Sequence, residues 1–440
     1  SDGSATDYDR STSTSADWSY WNTENTQAFV ELSHEFGNDW RLVAAYNYED
    51  VVQDSQLFYV YGTPDRTTGL GLYAYPSDYS GSYRSDFYDV YVTGAFTLGG
   101  RSHELVFGGN WADAANAEIS WYGNDVGTPI ADLGSWTGEY PKPSFDSYSS
   151  YSDSEYRRGS AYATVRWNLR DNIKLITGAN YARVSTDGVS YGEAKDTETS
   201  KTTPFAGLTV DLDENYSAYA SYGEIFSEQG QMDIDNQLVG PITGDSLEAG
   251  VKGEWLDGRL NASAALFKMN QNNLAEYAGY NPNTGLSYYR GEDASSEGIE
   301  LTVAGALNDI WQVFGGYTHL NITGDGEQDA RTYVPRDMLR ISTTVLIPQI
   351  EGLKLGAQFS WQGDIERAQG ELDFDGDEII SRQQSYALLG LMASYSLTSQ
   401  WTISANIDNL TNEKYLTSLY WSQGYYGAPR NGSLTLRYDF

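Results

Sequence analysis

Apolar and polar residues alternate one by one along most of this chain, and the final eight residues show it cleanly. Leu434, Leu436, Tyr438 and Phe440 fall on one side, and Ser433, Thr435, Arg437 and Asp439 on the other. A period of two puts successive side chains on opposite faces of an extended strand. From Thr26 onward a unit recurs: an alternating run, a very short polar turn, a second alternating run, then a longer aromatic and polar stretch. Phe29 to Phe36 turns at Gly37-Asn38-Asp39 into Trp40 to Tyr46, and the run ending at Leu98 turns at Gly99-Gly100. Ala161 to Leu169 turns at Arg170-Asp171-Asn172, Leu247 to Trp255 at Leu256-Asp257-Gly258, and Leu389 to Leu397 at Thr398-Ser399-Gln400. The pattern predicts about seventeen antiparallel strands, with tight turns at one end and long connections at the other. The stretches from Val51 to Arg84, Ala112 to Tyr156, Ile225 to Ser246, Leu274 to Ser295 and Ile365 to Ile380 read as those long loops.

A soluble sandwich and a transmembrane barrel both use alternating strands. The sorting of connections decides between them, because short turns on one side and long loops on the other are the asymmetry of outer-membrane barrels. Trp40, Phe96, Trp167, Trp255, Trp311, Tyr395 and Trp401 all lie beside the short turns. Amphipathic rings favour the headgroup boundary, so these residues predict a periplasmic aromatic girdle. The reading is an all-β transmembrane antiparallel barrel.

Composition narrows the function. No run of about 18 apolar residues occurs, which excludes a helical span but not a barrel. The net charge of -34, from 61 acids against 27 Lys and Arg, argues against nucleic acid as a partner. There is no cysteine and there are only three histidines, so neither a disulfide framework nor a protein-built transition-metal centre is expected. No signal peptide opens the chain, and Ser1 to Asp7 reads as a loop cut open. With Phe440 ending a descending strand and an odd strand count, a first strand is expected to be missing, since bacterial single-chain barrels have even counts. The expectation is one barrel domain over residues 1–440 that starts within an extracellular loop.

Several blocks resemble TonB-dependent outer-membrane receptors, most nearly the branch for ferric hydroxamate siderophores and pyoverdine. Ser221-Tyr222-Gly223-Glu224-Ile225-Phe226 resembles the family's strand end, departing at Glu228, where a proline usually precedes the glutamine. Glu248 to Trp255 with Asp257 to Asn261 resembles its hairpin, and Ser296-Glu297-Gly298-Ile299-Glu300 resembles its S-R-G-x-E block with Glu297 in place of the basic residue. Asn406 to Tyr415, Pro429-Arg430 and the terminal Phe440 resemble its carboxyl-terminal signature. The resemblance implies a barrel of about 22 strands, of which about five would be absent here, filled by an amino-terminal plug not contained in this chain. It also implies location in the bacterial outer membrane, a ferric siderophore as cargo, the TonB complex as energy partner, and contact with outer-membrane lipid and lipopolysaccharide. Leu436, Tyr438 and Phe440 are implied as the signal that the barrel-assembly machinery reads.

A receptor for a chelate needs no metal ligands or cofactor of its own, because iron arrives already wrapped. It needs an aromatic cup with a few polar groups. The long connections supply candidates: Trp121 and Tyr122; Trp136 and Tyr140; Tyr288, Tyr289 and Arg290; Trp361; and Trp421, Tyr425 and Tyr426. Arg290 could pair with an anionic chelate, while Arg430 reads as structural. Asp373 to Glu378 fails as a calcium loop, with glycine at the fourth position instead of the sixth. No nucleophile elbow or phosphate loop occurs, so no enzyme is expected. Alternative functions are a TonB-dependent receptor for a catecholate chelate, cobalamin or an oligosaccharide, a passive porin, and a soluble β-protein.

Overall fold

The computed structural model describes residues 6–37, 39–65, 67–283, 285–372, 376–420 and 424–440. Its strands are β1 (Tyr20–Glu35), β2 (Arg41–Gly62), β3 (Leu72–Leu98), β4 (Arg101–Tyr122), β5 (Tyr148–Arg170), β6 (Ile173–Ser190) and β7 (Glu193–Ala194). There follow β8 (Thr197–Asp211), β9 (Tyr216–Ser227), β10 (Ile242–Trp255), β11 (Leu260–Tyr280), β12 (Ser287–Ala306), β13 (Trp311–Thr323) and β14 (Asp337–Leu346). The last are β15 (Leu353–Gln362), β16 (Ile365–Leu372), β17 (Glu378–Gln383), β18 (Tyr386–Ser396), β19 (Trp401–Asp408) and β20 (Asn431–Tyr438). All but β16 and β17, which form a separate hairpin in a loop, belong to one 18-stranded sheet. Setting aside the two-residue β7, the rest pair with their neighbours in chain order, which is the meander the alternation predicts.

Tight turns fall at one end. The Gly99–Gly100 turn needs φ of 61° and 79°, a left-handed conformation that glycine adopts without cost. Register then holds one apolar face together across the whole sheet. Leu175, Leu208, Ala220, Ala249, Leu266 and Ile299 form a continuous row over six strands. The opposite face is polar and internally bonded: Ser160 donates to Asn110 at 2.7 Å, Ser263 meets Thr302 at 2.6 Å, and Ser394 meets Ser404 at 2.8 Å. Leu266 at 62% and Leu434 at 72% exposure would be intolerable in a soluble fold, but lipid covers this face.

The turn-side aromatics gather as the sequence predicts. Phe96 and Trp167 meet edge-on at 5.9 Å, Tyr216 and Trp255 at 5.6 Å, and Trp401 lies 4.7 Å from Tyr438, which in turn meets Phe440 at 5.0 Å. Leu434, Leu436 and Tyr438 continue the apolar face beside Ala405, Ile403 and Trp401.

Two expectations change. Most of the supposed loops are strand: β2 and β3 pair without a break out to Gly62 and Leu72, β4 and β5 out to Tyr122 and Tyr148, and β11 and β12 out to Tyr280 and Ser287. Beyond the bilayer both faces meet water, so the polar contrast fades at residues such as Gln53, Asp54 and Gln56 while backbone pairing continues. β1 likewise begins at Tyr20, earlier than the Phe29 run indicates. Among the described residues β1 pairs only with β2 and β20 only with β19. The outer rim nevertheless curls round, because Arg10 donates to the Asn412 side chain and carbonyl at 2.7 Å each and Lys414 reaches Asp7 at 2.5 Å.

Candidate ligand-binding mouth

Unbroken register from turn to tip means that a position's face is set by its parity. On β2 and β3 the odd positions share the lumenal face, and on β4 and β5 the even ones do. At the loop end this face carries Tyr59, Tyr61, Tyr73, Tyr75, Tyr79, Tyr122 and Tyr148. Tyr122 stacks on Tyr148 at 4.3 Å and 16°. Tyr75 meets Tyr122 edge-on at 5.4 Å and stands 6.2 and 6.0 Å from Tyr59 and Tyr61. The Tyr75 and Tyr148 hydroxyls are 3.1 Å apart. Burial, and then this hydrogen bond, push the Tyr75 phenol up from its usual range, so it presents a neutral hydroxyl. Burial raises the Tyr59 phenol too, helped by nearby Tyr425 across the rim.

The other face of the same strands is sealed by the 123–147 connection. Phe58, Val60, Leu72 and Ala74 bury themselves against Ile130 and Ala16, with Trp18, Leu133, Trp136 and Tyr140 packed around them. Trp136 stacks on Phe58 at 5.4 Å and 13°, and its indole N–H donates to the Ser15 carbonyl at 2.9 Å. Tyr140 donates to Asp125 at 2.7 Å, and burial followed by that bond raises its phenol. Trp136 and Tyr140 therefore back the tyrosine wall instead of lining it.

The remaining predicted residues separate. Trp121 shares the outward face of β4 with Leu105 and Phe107, and Trp361 stands opposite Leu339 and Ala387 on the outward face of β15, so both face away from the lumen. Period-two placement, carried by unbroken pairing above the membrane, turns them away. Tyr288 and Tyr289 alternate along β12, and Tyr289 lies 6.2 Å from Tyr277. Arg290 is paired with Glu292 at 2.7 Å, which satisfies the charge held ready for a chelate. Tyr426 holds the Lys414 ammonium over its ring at 4.5 Å, a structural role at the rim. Tyr425 stays exposed, and the Arg430 backbone N–H donates to Asn412 at 3.0 Å. Trp421 lies outside the described residues, as do residues 373–375 of the rejected calcium loop. Among the described residues no cluster of three or more acidic or histidine side chains is placed to hold a metal.

Three groups at the mouth were not singled out from sequence. The first is the tyrosine wall beyond Tyr122, whose signal was present: Tyr59 with Tyr61, and Tyr73 with Tyr75, each two apart and so on one face. The second is Arg367, whose guanidinium lies 5.2 Å from the Tyr333 ring and 5.1 Å from Tyr420, joining three loops. The third is the 228–241 loop. Thr186 donates to Glu228 at 3.2 Å, while the buried Oε2 of Glu228 has no hydrogen-bond partner among the described residues. Burial raises this carboxyl, against the opposing effects of the Thr186 bond and the nearby Arg158 charge. Beside it Gln229 donates to the Gly240 and Asn273 carbonyls at 2.7 and 2.6 Å and accepts from the Ala275 N–H at 3.0 Å.

Residues 1–410 match the family model for the β-barrel of TonB dependent receptor-like proteins. The chain is 31% identical over 457 residues to the ferripyoverdine receptor of Pseudomonas aeruginosa, covering all of this chain and 55% of that protein. It is 32% identical over 461 residues to the ferric-pyoverdine BN7/BN8 receptor of Pseudomonas putida, covering all of this chain and 54% of the relative. The solved structure of the pyoverdine outer membrane receptor FpvA from Pseudomonas aeruginosa bound to pyoverdine superposes with a TM-score of 0.91 at 30% identity, over 99% of this chain and 64% of that one. The chain thus spans about half the length of the curated relatives it matches.

Proposed function

Because this chain belongs to the TonB-dependent receptor-like β-barrel family, we propose that it forms the wall and mouth of an outer-membrane importer for a ferric siderophore of pyoverdine-like, mixed-chelate type. The observation that carries this reading is the seven-tyrosine wall on the lumenal face at the loop end. Rigid rings give large contact area at low entropic cost, and neutral phenols offer hydrogen bonds to a chelate's peptide and oxygen groups. Iron travels inside its chelate, so the chain contributes shape and polarity and no metal ligand. It acts by binding and passage, without catalysis or a cofactor of its own. Opening the lumen draws energy through the TonB complex, and Leu436, Tyr438 and Phe440 serve barrel assembly.

The test is uptake of iron-55 as ferripyoverdine by an iron-starved strain that depends on the full gene product. Transport that is lost in a Tyr75→Ala/Tyr122→Ala variant with normal surface abundance supports the reading. Failure of every pyoverdine, hydroxamate and catecholate chelate to restore growth would sink it.

A further inference from the structure

In a chain of net charge -34, one strip of the lumenal wall holds no acid at all. On β13, β14, β15 and β18 odd positions such as Tyr317, Ile341, Phe359 and Leu389 face outward, so even positions line the lumen. Those lumenal positions carry two cations, Arg340 and Lys354, and otherwise only neutral side chains. Neither cation has an ion pair or a hydrogen bond to protein among the described residues. Nearer β4 to β8 on the same wall cations meet acids, Arg166 with Glu104 at 3.0 Å and Lys174 with Asp211 at 3.1 Å.

The two cations mark the ends of the strip. Arg340 stands in a row with Gly316 and Ser360, and Lys354 in a row with Leu346 and Ser394. Leu346 lies six residues beyond Arg340 on β14, so the rows are roughly 20 Å apart along the strand. Between them come Ser342 with Gln358, then Thr344 with Gly356, a floor of hydroxyls, an amide and a glycine. The outer end opens onto a cavity of about 360 Å³ that Arg340 shares with Asn409, Tyr415 and Ala428 of the connection after β19. The carboxylate at that cavity, Asp408, accepts a hydrogen bond from Gln358 at 2.9 Å.

We propose that this strip is a cationic lane for an anionic chelate on its way inward, its carboxylates passing from Arg340 to Lys354. A guanidinium receives a carboxylate in a planar fork, and an ammonium holds it as a point charge that releases readily. With no acid beside them, the two cations focus their field on the lumen and draw in negative charge. The inference rests on the cargo reading above and names the charge class of that cargo, a chelate with free carboxylates.

Binding and passage are read apart with the full gene product in iron-starved cells. Binding of the iron-55 chelate to cells de-energised with a protonophore reports the mouth, and uptake rate per bound chelate in energised cells reports the lane. Two cargoes are compared, ferripyoverdine with its carboxylates free and the same chelate with them amidated. Arg340→Gln/Lys354→Gln should leave binding unchanged and slow uptake of the acidic chelate about tenfold, the low end of what a focused field supplies. Uptake of the amidated chelate, which lacks those charges, should change by less than about twofold. Arg340→Lys/Lys354→Arg, which keeps both charges, should transport as the wild type does. If the double glutamine variant does not reach the surface, Lys354→Gln alone is read in its place. An unchanged rate for the acidic chelate in an assembled variant overturns the proposal. So does an equal loss for both chelates, since the cations would then seat protein and not cargo. Wild-type cells that bind neither chelate would sink the cargo reading, and the lane with it.

Discussion

The Tyr122 and Tyr148 rings lie face to face across the β4–β5 pair, 4.3 Å apart and 16° from parallel. Their immediate neighbours in sequence point the other way. A stacked aromatic pair contributes about 0.5–1.5 kcal/mol beyond its buried area. Tyr122→Ala is therefore expected to weaken chelate binding by roughly tenfold or more, about 1.4 kcal/mol per decade. Tyr122→Phe keeps the stack and should lose little, and Trp121→Ala should leave affinity unchanged because Trp121 faces outward. Fluorescence quenching titrations with ferripyoverdine read all three.

Gln229 donates to one carbonyl in its own loop and one on β11, and accepts from a β11 N–H, tying the 228–241 loop to that strand. Leaving buried backbone groups without partners costs about 1–3 kcal/mol each. Gln229→Ala should free the 228–241 loop from β11 while the barrel stays assembled. Hydrogen–deuterium exchange should show protection lost in that loop and kept in β4 and β5.

Ala264 and Ser263 are adjacent, yet one stands in the lipid-facing row beside Val251 and Leu301 while the other bonds Thr302 on the lumenal face. An arginine near the bilayer midplane destabilises a barrel by about 2–4 kcal/mol. Ala264→Arg should lower the yield of heat-modifiable folded protein sharply. Ser263→Arg, which loses one hydrogen bond worth about 1 kcal/mol, should assemble.

Glu228 has a carboxyl raised above its ordinary value of 4.5, chiefly by burial. A raised acid binds its proton more tightly when folded, so stability falls as pH climbs from 4.5 through the folded value. Glu228→Gln removes this dependence. The variant should melt above the wild type at neutral pH, and the gap should close as pH drops below 4.5. A gap constant with pH would show that ionisation of Glu228 carries none of the difference.

The strand count, the tight turns, the girdle and the identity of the lipid face were all legible in the sequence. Period-two alternation put Leu434, Leu436 and Tyr438 on one face, and the sorting of short turns from long connections along the chain made that face the lipid side. The carboxyl-terminal pattern through Phe440 pointed to the family because it is local. The mouth was not legible in that way. Beyond the bilayer water meets both faces, the contrast disappears, and strand reads as loop. Only cross-strand register could then gather Tyr59, Tyr75, Tyr122 and Tyr148 on one wall, set Trp136 behind it and turn Trp121 and Trp361 away. Pairing fixes which face a side chain takes, and pairing joins residues that the chain keeps tens of positions apart.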